Sequence, residues 1–166
     1  MEPEPFDTLM ASADPSMVVV TVAVDEERSG CLVGFHGQVG IDPLRYGVWI
    51  SKVNHTYEPA LAASHLAIHH LGVDDGDLAR LFGTVTGDRE DKFDRCRWEP
   101  GPHGVPLLSD CSHWMVGRWV AVLDANGDHA CVVVEPVEVS ARAPFEPLRL
   151  SRVIDLPPAH PVDGSA

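Results

Sequence analysis

The chain has few basic residues, and this shortage limits the partners that it can bind. It contains 12 lysines and arginines against 25 aspartates and glutamates, and its formal net charge at pH 7 is −13. An acidic protein is repelled by nucleic-acid phosphates and by anionic membrane surfaces. We therefore expect neither nucleic acid nor a membrane as a partner, and we interpret the scattered acids as a solvated surface.

Long apolar runs and a basic N-terminal stretch are also absent. No apolar run reaches the roughly 20 residues that cross a bilayer as a helix, and Glu2 and Glu4 stand where a secretory signal would carry basic residues. The four cysteines form no C-x-x-C pair. These features predict a cytoplasmic protein with reduced, mostly buried thiols.

Several common catalytic signatures are missing. There is no G-x-S-x-G elbow of a serine hydrolase, and no glycine-rich dinucleotide fingerprint follows a strand. Of the nine histidines, His65 and His69 would share one face of a helix and could bind zinc there. Ala67 and Ile68 favour a strand at the same place, and no glutamate completes a zinc-protease motif. We therefore predict no metal site.

The distribution of apolar residues predicts a mainly β fold with short helices. Strands are predicted over 17–24, 31–39, 46–51, 66–71, 111–123 and 130–139, and helices from 54 or 56 to 64 and over 76–82. Many short strands with few helices indicate a closed or partly closed barrel. We place one domain at 16–156, after a loosely ordered arm at 1–15 and before an irregular tail at 157–166. A long loop spans 84–106.

A strand with glycines at 34, 37 and 40 ends at Asp42-Pro43. Glycine lets other groups approach the backbone closely. Residues 52–56, Lys-Val-Asn-His-Thr, lead towards a predicted helix, and amides at such a position attract phosphate. Together the two stretches predict a ligand with a flat part and a phosphate part.

Two further places carry residues that suit such a ligand. Lys92 and Phe93 follow the acidic loop 87–91 and could close over a phosphate-bearing ring system, or could be a snorkelling lysine and a core anchor. His129 follows the Asn126-Gly127 turn at the start of a strand. It could bind an anionic or nicotinamide group, or only satisfy backbone groups of the turn.

In this order, the motifs resemble those of the flavin reductase-like family, whose fold is the FMN-binding split β-barrel. The resemblance covers roughly residues 14–150. It rests on Ser29-Gly30-Cys31 leading to Ile41-Asp42-Pro43, on the stretch 52–56, on Gly87-Asp88 leading to Lys92-Phe93, and on Gly127-Asp128-His129.

The resemblance implies an FMN or FAD site, often at a homodimer interface, and NAD(P)H as the reductant. It places Gly34, Phe35, His36, Gly37 and Gln38 against the flavin ring, and Lys52, Asn54, His55 and Thr56 at the phosphate. It puts Lys92 and Phe93 near the flavin and His129 on the nicotinamide side. The implied activity is NAD(P)H-dependent reduction of FMN or FAD, with reduced flavin serving a partner oxygenase.

One departure from the family pattern keeps an alternative open. The family commonly carries Ser, Thr or Asn along the stretch that contacts the ring, whereas this chain has Leu32, Gly34, Phe35, His36 and Gly37. A protein of the same fold that binds flavin, deazaflavin or another flat cofactor without turnover is therefore the second hypothesis.

Overall fold

A computed structural model describes residues 3–85 and 90–157 of the chain. Its helices are α1 Pro3–Ala13, α2 Tyr57–Ala62 and α3 Gly76–Thr84. Its strands are β1 Val18–Val24, β2 Glu27–Val33, β3 His36–Ile41, β4 Leu44–Ser51, β5 His65–His70, β6 Trp98–Pro100, β7 Pro106–Leu108, β8 Trp114–Asp124 and β9 His129–Ser140. Within these ranges, no helix is both long and apolar enough to span a bilayer.

Seven of the strands form one antiparallel sheet in the order β2-β1-β5-β8-β9-β4-β3. The two end strands, β2 and β3, are consecutive in the chain and are joined by Gly34 and Phe35. This link brings the ends of the sheet together, and Val20, Val48 and Val132 from separate strands meet in one buried cluster. The prediction of a mainly β fold is confirmed. Among the described residues β2 pairs only with β1 and β3 only with β4, so the predicted barrel is not closed by hydrogen bonds.

A second apolar cluster lies where α3 packs on the sheet. Leu78, Leu81 and Phe82 are buried there, as the shared helix face predicts. A Cβ atom at Gly30 of β2 would lie 2.8 Å from the Phe82 ring, so glycine allows the helix to approach this strand. The packing of α3 therefore fixes the middle of β2, next to the link at Gly34.

Three predictions of local structure differ from the observed elements. The single strand predicted over 31–39 is broken at Gly34 and Phe35 into β2 and β3. The predicted loop over 84–106 contains the 3-10 turn Lys92–Arg95 and strand β6. Residues 3–13 are helical rather than loosely ordered, because Pro3 and Pro5 lie in the first turn, where proline is tolerated.

His69 of β5 has a structural role. Its Nδ1 donates to the Val19 carbonyl at 3.1 Å, and its Nε2 accepts from the Leu108 amide at 3.1 Å. Both ring nitrogens are thereby used inside the core. Over the described ranges, no group of three histidine, cysteine or acidic side chains could hold a metal ion.

Candidate functional site

A cavity of about 240 Å³ opens where the ends of β2 and β4 meet the start of β9. We call it the β2–β4 cavity. It is lined by Pro15, Met17, Cys31, Leu32, Val33, Gly34, Phe35, Trp49, Ile50, Ser51, Asn54, His129 and Leu150. Four residues that the sequence predicted for the ligand lie in it, namely Gly34, Phe35, Asn54 and His129.

His129 lies at this cavity beside one acid and one aromatic ring. Its Nδ1 is 3.0 Å from Asp128 Oδ1, and its ring meets the ring of Phe35 edge-on at 5.3 Å between centroids. The bond to His129 holds the pKa of the Asp128 carboxyl below its usual range. The histidine is therefore oriented by a carboxylate, with its ring among the cavity walls.

A second hollow of about 410 Å³ lies along β2 and the turn before α2. We call it the Arg28 hollow. Its lining is Glu26, Glu27, Arg28, Ser29, Gly30, His55, Glu90, Asp91, Lys92 and Phe93. Ser29 and Gly30 precede Cys31, and His55 follows Asn54, so the chain runs directly from one space into the other.

Lys92 and Phe93 are both buried at this hollow, which fits the predicted anchor as well as a ligand contact. Lys92 Nζ donates to the Gly30 carbonyl at 2.7 Å and lies 5.6 Å from the centroid of the Phe82 ring. Burial lowers the pKa of its ammonium group, while the nearby Cys31 opposes that shift. The cation is thus held under β2 by a carbonyl oxygen and an aromatic face.

Thr56 and Ser29 tie the turn before α2 to β2. Both side chains are buried, and their hydroxyl oxygens are 2.9 Å apart. The neighbouring Cys31 thiol is also buried, and desolvation raises its pKa to about 11. Cys31 is therefore a neutral wall of the cavity rather than a nucleophile.

Several amides that lead into α2, where a phosphate site is predicted, donate hydrogen bonds within the protein. The amide of Asn54 donates to Ser51 O at 3.0 Å, that of Thr56 to Asn54 Oδ1 at 2.9 Å, and that of Tyr57 to Asn54 O at 2.9 Å. These donors are used within the turn, and α2 has only 6 residues. The assignment of this turn to the phosphate therefore stays a prediction, and these three donors do not support it.

Lys52 lies apart from the other predicted phosphate residues. Its Nζ ion-pairs with Asp124 of β8 at 2.8 Å, and it lines neither the β2–β4 cavity nor the Arg28 hollow. The hydrogen bond from Lys52 lowers the pKa of the Asp124 carboxyl. The assignment of Lys52 to a phosphate stays a prediction that this contact does not support.

Three residues of the predicted ring-contacting stretch also lie outside both spaces. His36 bonds to Tyr46 and Ser16, Gln38 bonds to the Gly40 carbonyl, and Gly37 has no atom within 4 Å of where its Cβ would be. The break between β2 and β3 changes the direction of the chain after Phe35. For this reason Gly34 and Phe35 line the cavity whereas these three residues do not.

The sequence reasoning missed the residues that line the spaces from other segments. Met17 and Trp49 belong to apolar strands and carry no signal beyond a place in the core. Arg28 was not predicted as a site residue, although its guanidinium lies 4.6 Å from the Trp98 ring centroid and ion-pairs with Asp91 at 3.3 Å. The position of Arg28 directly before the Ser29-Gly30 motif was the signal from which a role in binding the ligand could have been predicted.

Gly87 and Asp88, which contribute to the resemblance, fall outside the described residues. A larger hollow of about 570 Å³ beside α3 is lined by Asp74, Asp75, Asp77, Leu78, Arg80, Leu81, Thr84, Val85, Arg95, Cys96 and Asp110. It contains none of the residues that the sequence predicted for the ligand.

Comparison with known proteins gives the same family as the sequence motifs. The reductase component of a flavin-dependent trigonelline monooxygenase from Acinetobacter baylyi is 31% identical over 147 residues, which cover 86% of this chain and 46% of the relative. This chain thus spans about half the length of that relative. An NADH:riboflavin 5'-phosphate oxidoreductase from Streptomyces pristinaespiralis is 30% identical over 146 residues, which cover 87% of this chain and 81% of the relative.

The fold also matches solved structures. A flavin reductase domain protein from an Arthrobacter species superposes with a TM-score of 0.77 at 23% identity, over 88% of this chain and 89% of that one. The family model described as "Flavin reductase like domain" matches residues 10–152. These matches confirm the predicted fold class, and the chain belongs to the flavin reductase-like family.

Proposed function

We propose that this protein is a flavin reductase that binds FMN, or FAD, in the β2–β4 cavity and reduces it with NAD(P)H. The observation that carries the proposal is the meeting of Gly34, Phe35, Asn54 and His129 in one cavity from three separate parts of the chain. The two relatives described above, named as a reductase component and as an NADH:riboflavin 5'-phosphate oxidoreductase, support the same chemistry.

The cavity residues suit a flat ring. When bound, the flavin supplies the redox chemistry, accepting a hydride from the nicotinamide and passing the electrons on. Met17, Phe35 and Trp49 contribute apolar surface that excludes water, and Gly34 leaves room beside the backbone. His129, oriented by Asp128, lies at the same cavity and would position the nicotinamide.

The Arg28 hollow would hold the phosphate of the flavin. Arg28 and Lys92 bring two cations to it, and the Nε atom of Arg28 is buried without a hydrogen-bond partner. The carboxylates of Glu26, Glu27, Glu90 and Asp91 belong to exposed residues at its rim, where solvent screens their repulsion of an anion. Of these, Asp91 forms an ion pair with Arg28 at 3.3 Å. The cations are less exposed, so they act on a bound anion more strongly.

Reduced flavin would then serve a separate oxygenase, as the name of the Acinetobacter relative suggests for that protein. The alternative is a protein of the same fold that binds flavin, deazaflavin or another flat cofactor without turnover. The observation behind it is the lack of hydroxyl side chains from Leu32 to Gly37.

Two measurements on the purified protein separate these functions. A visible spectrum after addition of FMN reports binding, and the loss of NADH or NADPH absorbance in the presence of catalytic FMN reports turnover. A reductase gives both signals, and a binding protein gives the first alone. If neither signal is seen with FMN or FAD, the proposed function is wrong.

The assignment of the phosphate to Arg28 can be tested by comparing the loss of Arg28 with the loss of Lys52. We expect Arg28→Ala to weaken FMN binding by about tenfold, because a charge-assisted hydrogen bond is worth about 1.5–3 kcal/mol. Lys52→Ala removes the same charge but should leave FMN affinity nearly unchanged, since Lys52 lines neither the β2–β4 cavity nor the Arg28 hollow. Riboflavin, which lacks the phosphate, serves as the control ligand and should bind both variants alike. Equal FMN affinity in wild type and Arg28→Ala would contradict the assignment.

We further propose a homodimer with the cofactor near the subunit boundary. Phe35 lines the cavity and is nevertheless 60% exposed, and Ile41 and Leu44 on the β3–β4 hairpin are also exposed. A second copy would cover these apolar side chains and complete the open side of the cavity. We expect light scattering to show a dimer at micromolar concentration, and Ile41→Asp to shift it towards monomer. A monomeric wild type would exclude the arrangement.

A further inference from the structure

The imidazole of His36 joins three segments of the chain. Its Nε2 is 2.8 Å from the Ser16 carbonyl oxygen, and its Nδ1 is 2.6 Å from the Tyr46 hydroxyl. The ring of His70 meets it edge-on, with 5.9 Å between centroids. One side chain of β3 thus contacts the segment before β1, the strand β4 and the end of β5.

The partners determine which ring nitrogen carries the proton. A carbonyl oxygen can only accept, so His36 Nε2 carries the hydrogen and donates to Ser16. In the neutral ring Nδ1 is then a lone pair, and the Tyr46 hydroxyl must donate to it. Burial lowers the pKa of His36 and so favours this neutral form. Both hydrogen bonds therefore depend on an uncharged imidazole in one tautomer.

These contacts connect two walls of the β2–β4 cavity. Ser16 lies between Pro15 and Met17, which line one wall, and His36 directly follows Phe35, which lines another. The bond from His36 to Ser16 fixes the distance between the two segments. Tyr46 holds the ring in the orientation that makes this bond.

We propose that His36 is a positioning residue that sets the width of the β2–β4 cavity and thereby the affinity for the flavin. The proposal rests on the proposed function, because it assumes that the flavin occupies this cavity. His36 itself lines neither space, so it acts through Phe35 and the Pro15–Met17 segment. A wider cavity would contact the flat ring less closely and would admit water.

Protonation of His36 at low pH should break the hydrogen bond between its ring and the Tyr46 hydroxyl. Protonated Nδ1 becomes a donor, so the Tyr46 hydroxyl can no longer donate to it. The titratable groups facing His36 are Tyr46 from β4 and His70 from β5, and His70 in turn faces His113, which lies near Asp75. Over the described ranges, no carboxylate forms an ion pair with His36 that would compensate its charge. Flavin affinity is expected to fall as the pH drops below the ordinary titration range of histidine, because burial lowers the pKa of His36.

The test compares three variants in FMN titrations and thermal melts at pH 7.5. His36→Phe keeps an aromatic ring but removes both hydrogen bonds, and Tyr46→Phe removes one. Thr21→Val is the matched control, because the Thr21 hydroxyl donates at 2.6 Å to the Pro106 carbonyl, and neither residue lines the cavity. We expect the FMN dissociation constant to rise about tenfold in His36→Phe and about threefold in Tyr46→Phe, with no change in Thr21→Val.

A merely structural role for His36 would lower the melting temperature of all three variants and leave their FMN affinities equal, which would overturn the inference. A second readout is the affinity between pH 7.5 and pH 5, which should fall more in the wild type than in His36→Phe. An equal fall in both would also contradict it. If the wild type fails to bind FMN or FAD, the proposed function fails instead, so the two failures are distinguishable.

Discussion

Replacement of Gly34 by leucine is expected to weaken FMN binding by about a hundredfold while leaving the fold intact. A Cβ atom at this position would lie 3.5 Å from Met17 Cε and Sδ, an ordinary contact, so the backbone accepts a side chain. The remaining carbons of leucine would extend into space that Met17 and Phe35 enclose. Overfilling a site of this kind costs about 3 kcal/mol, which corresponds to the hundredfold loss.

Gly37→Leu is the matched control for this experiment. Gly37 belongs to the same glycine-spaced stretch, but no atom lies within 4 Å of where its Cβ would be, and it does not line the cavity. FMN titrations and thermal melts of both variants make the measurement. We expect Gly37→Leu to bind FMN as the wild type does. Normal binding by Gly34→Leu would show that the flavin site is elsewhere.

Acidification is expected to destabilise the protein steeply between about pH 6.5 and pH 4. Burial lowers the pKa of His69 to about 4, and burial together with His36 and His113 lowers that of His70 to about 4. Both imidazoles stay neutral in the folded protein over this range, whereas in the unfolded chain they bind protons below about pH 6.5. The contribution of the two neutral imidazoles to the free energy of unfolding is complete above pH 6.5 and is lost as the pH falls towards 4. Each can cost up to about 1.4 kcal/mol per pH unit.

Urea unfolding at several pH values measures this effect. His69→Gln removes one titrating group, so its free energy of unfolding should fall less steeply with pH than that of the wild type. Thr21→Val loses a buried hydrogen bond but no titratable group, and it should be destabilised by a similar amount at every pH. If the free energy of unfolding falls equally steeply with pH in His69→Gln and in the wild type, His69 is not responsible for the loss of stability in acid.

The strands and the helix α3 could be predicted from the sequence because their signals are local. The β-branched run at 18–24 and the shared face of Leu78, Leu81 and Phe82 depend only on neighbours along the chain. The family could also be recognised, since its motifs are short and occur in a fixed order. The helix over 3–13 was not predicted, although Pro3 and Pro5 lie in its first turn, where proline is tolerated.

A mainly β domain with a flavin reductase-like order of motifs follows from the amino-acid sequence, because apolar alternation and motif spacing are properties of the chain alone. Which residues meet in the site follows from the folded arrangement of the strands. The break after β2 turns Gly34 and Phe35 towards the cavity and His36 towards Tyr46. The sequence did not reveal this break, because residues 31–39 have the pattern of one continuous strand. Likewise, Asp124 lies 72 residues from Lys52 in the sequence. Only the register of the folded strands shows that these two side chains form an ion pair, which does not support the predicted phosphate contact of Lys52.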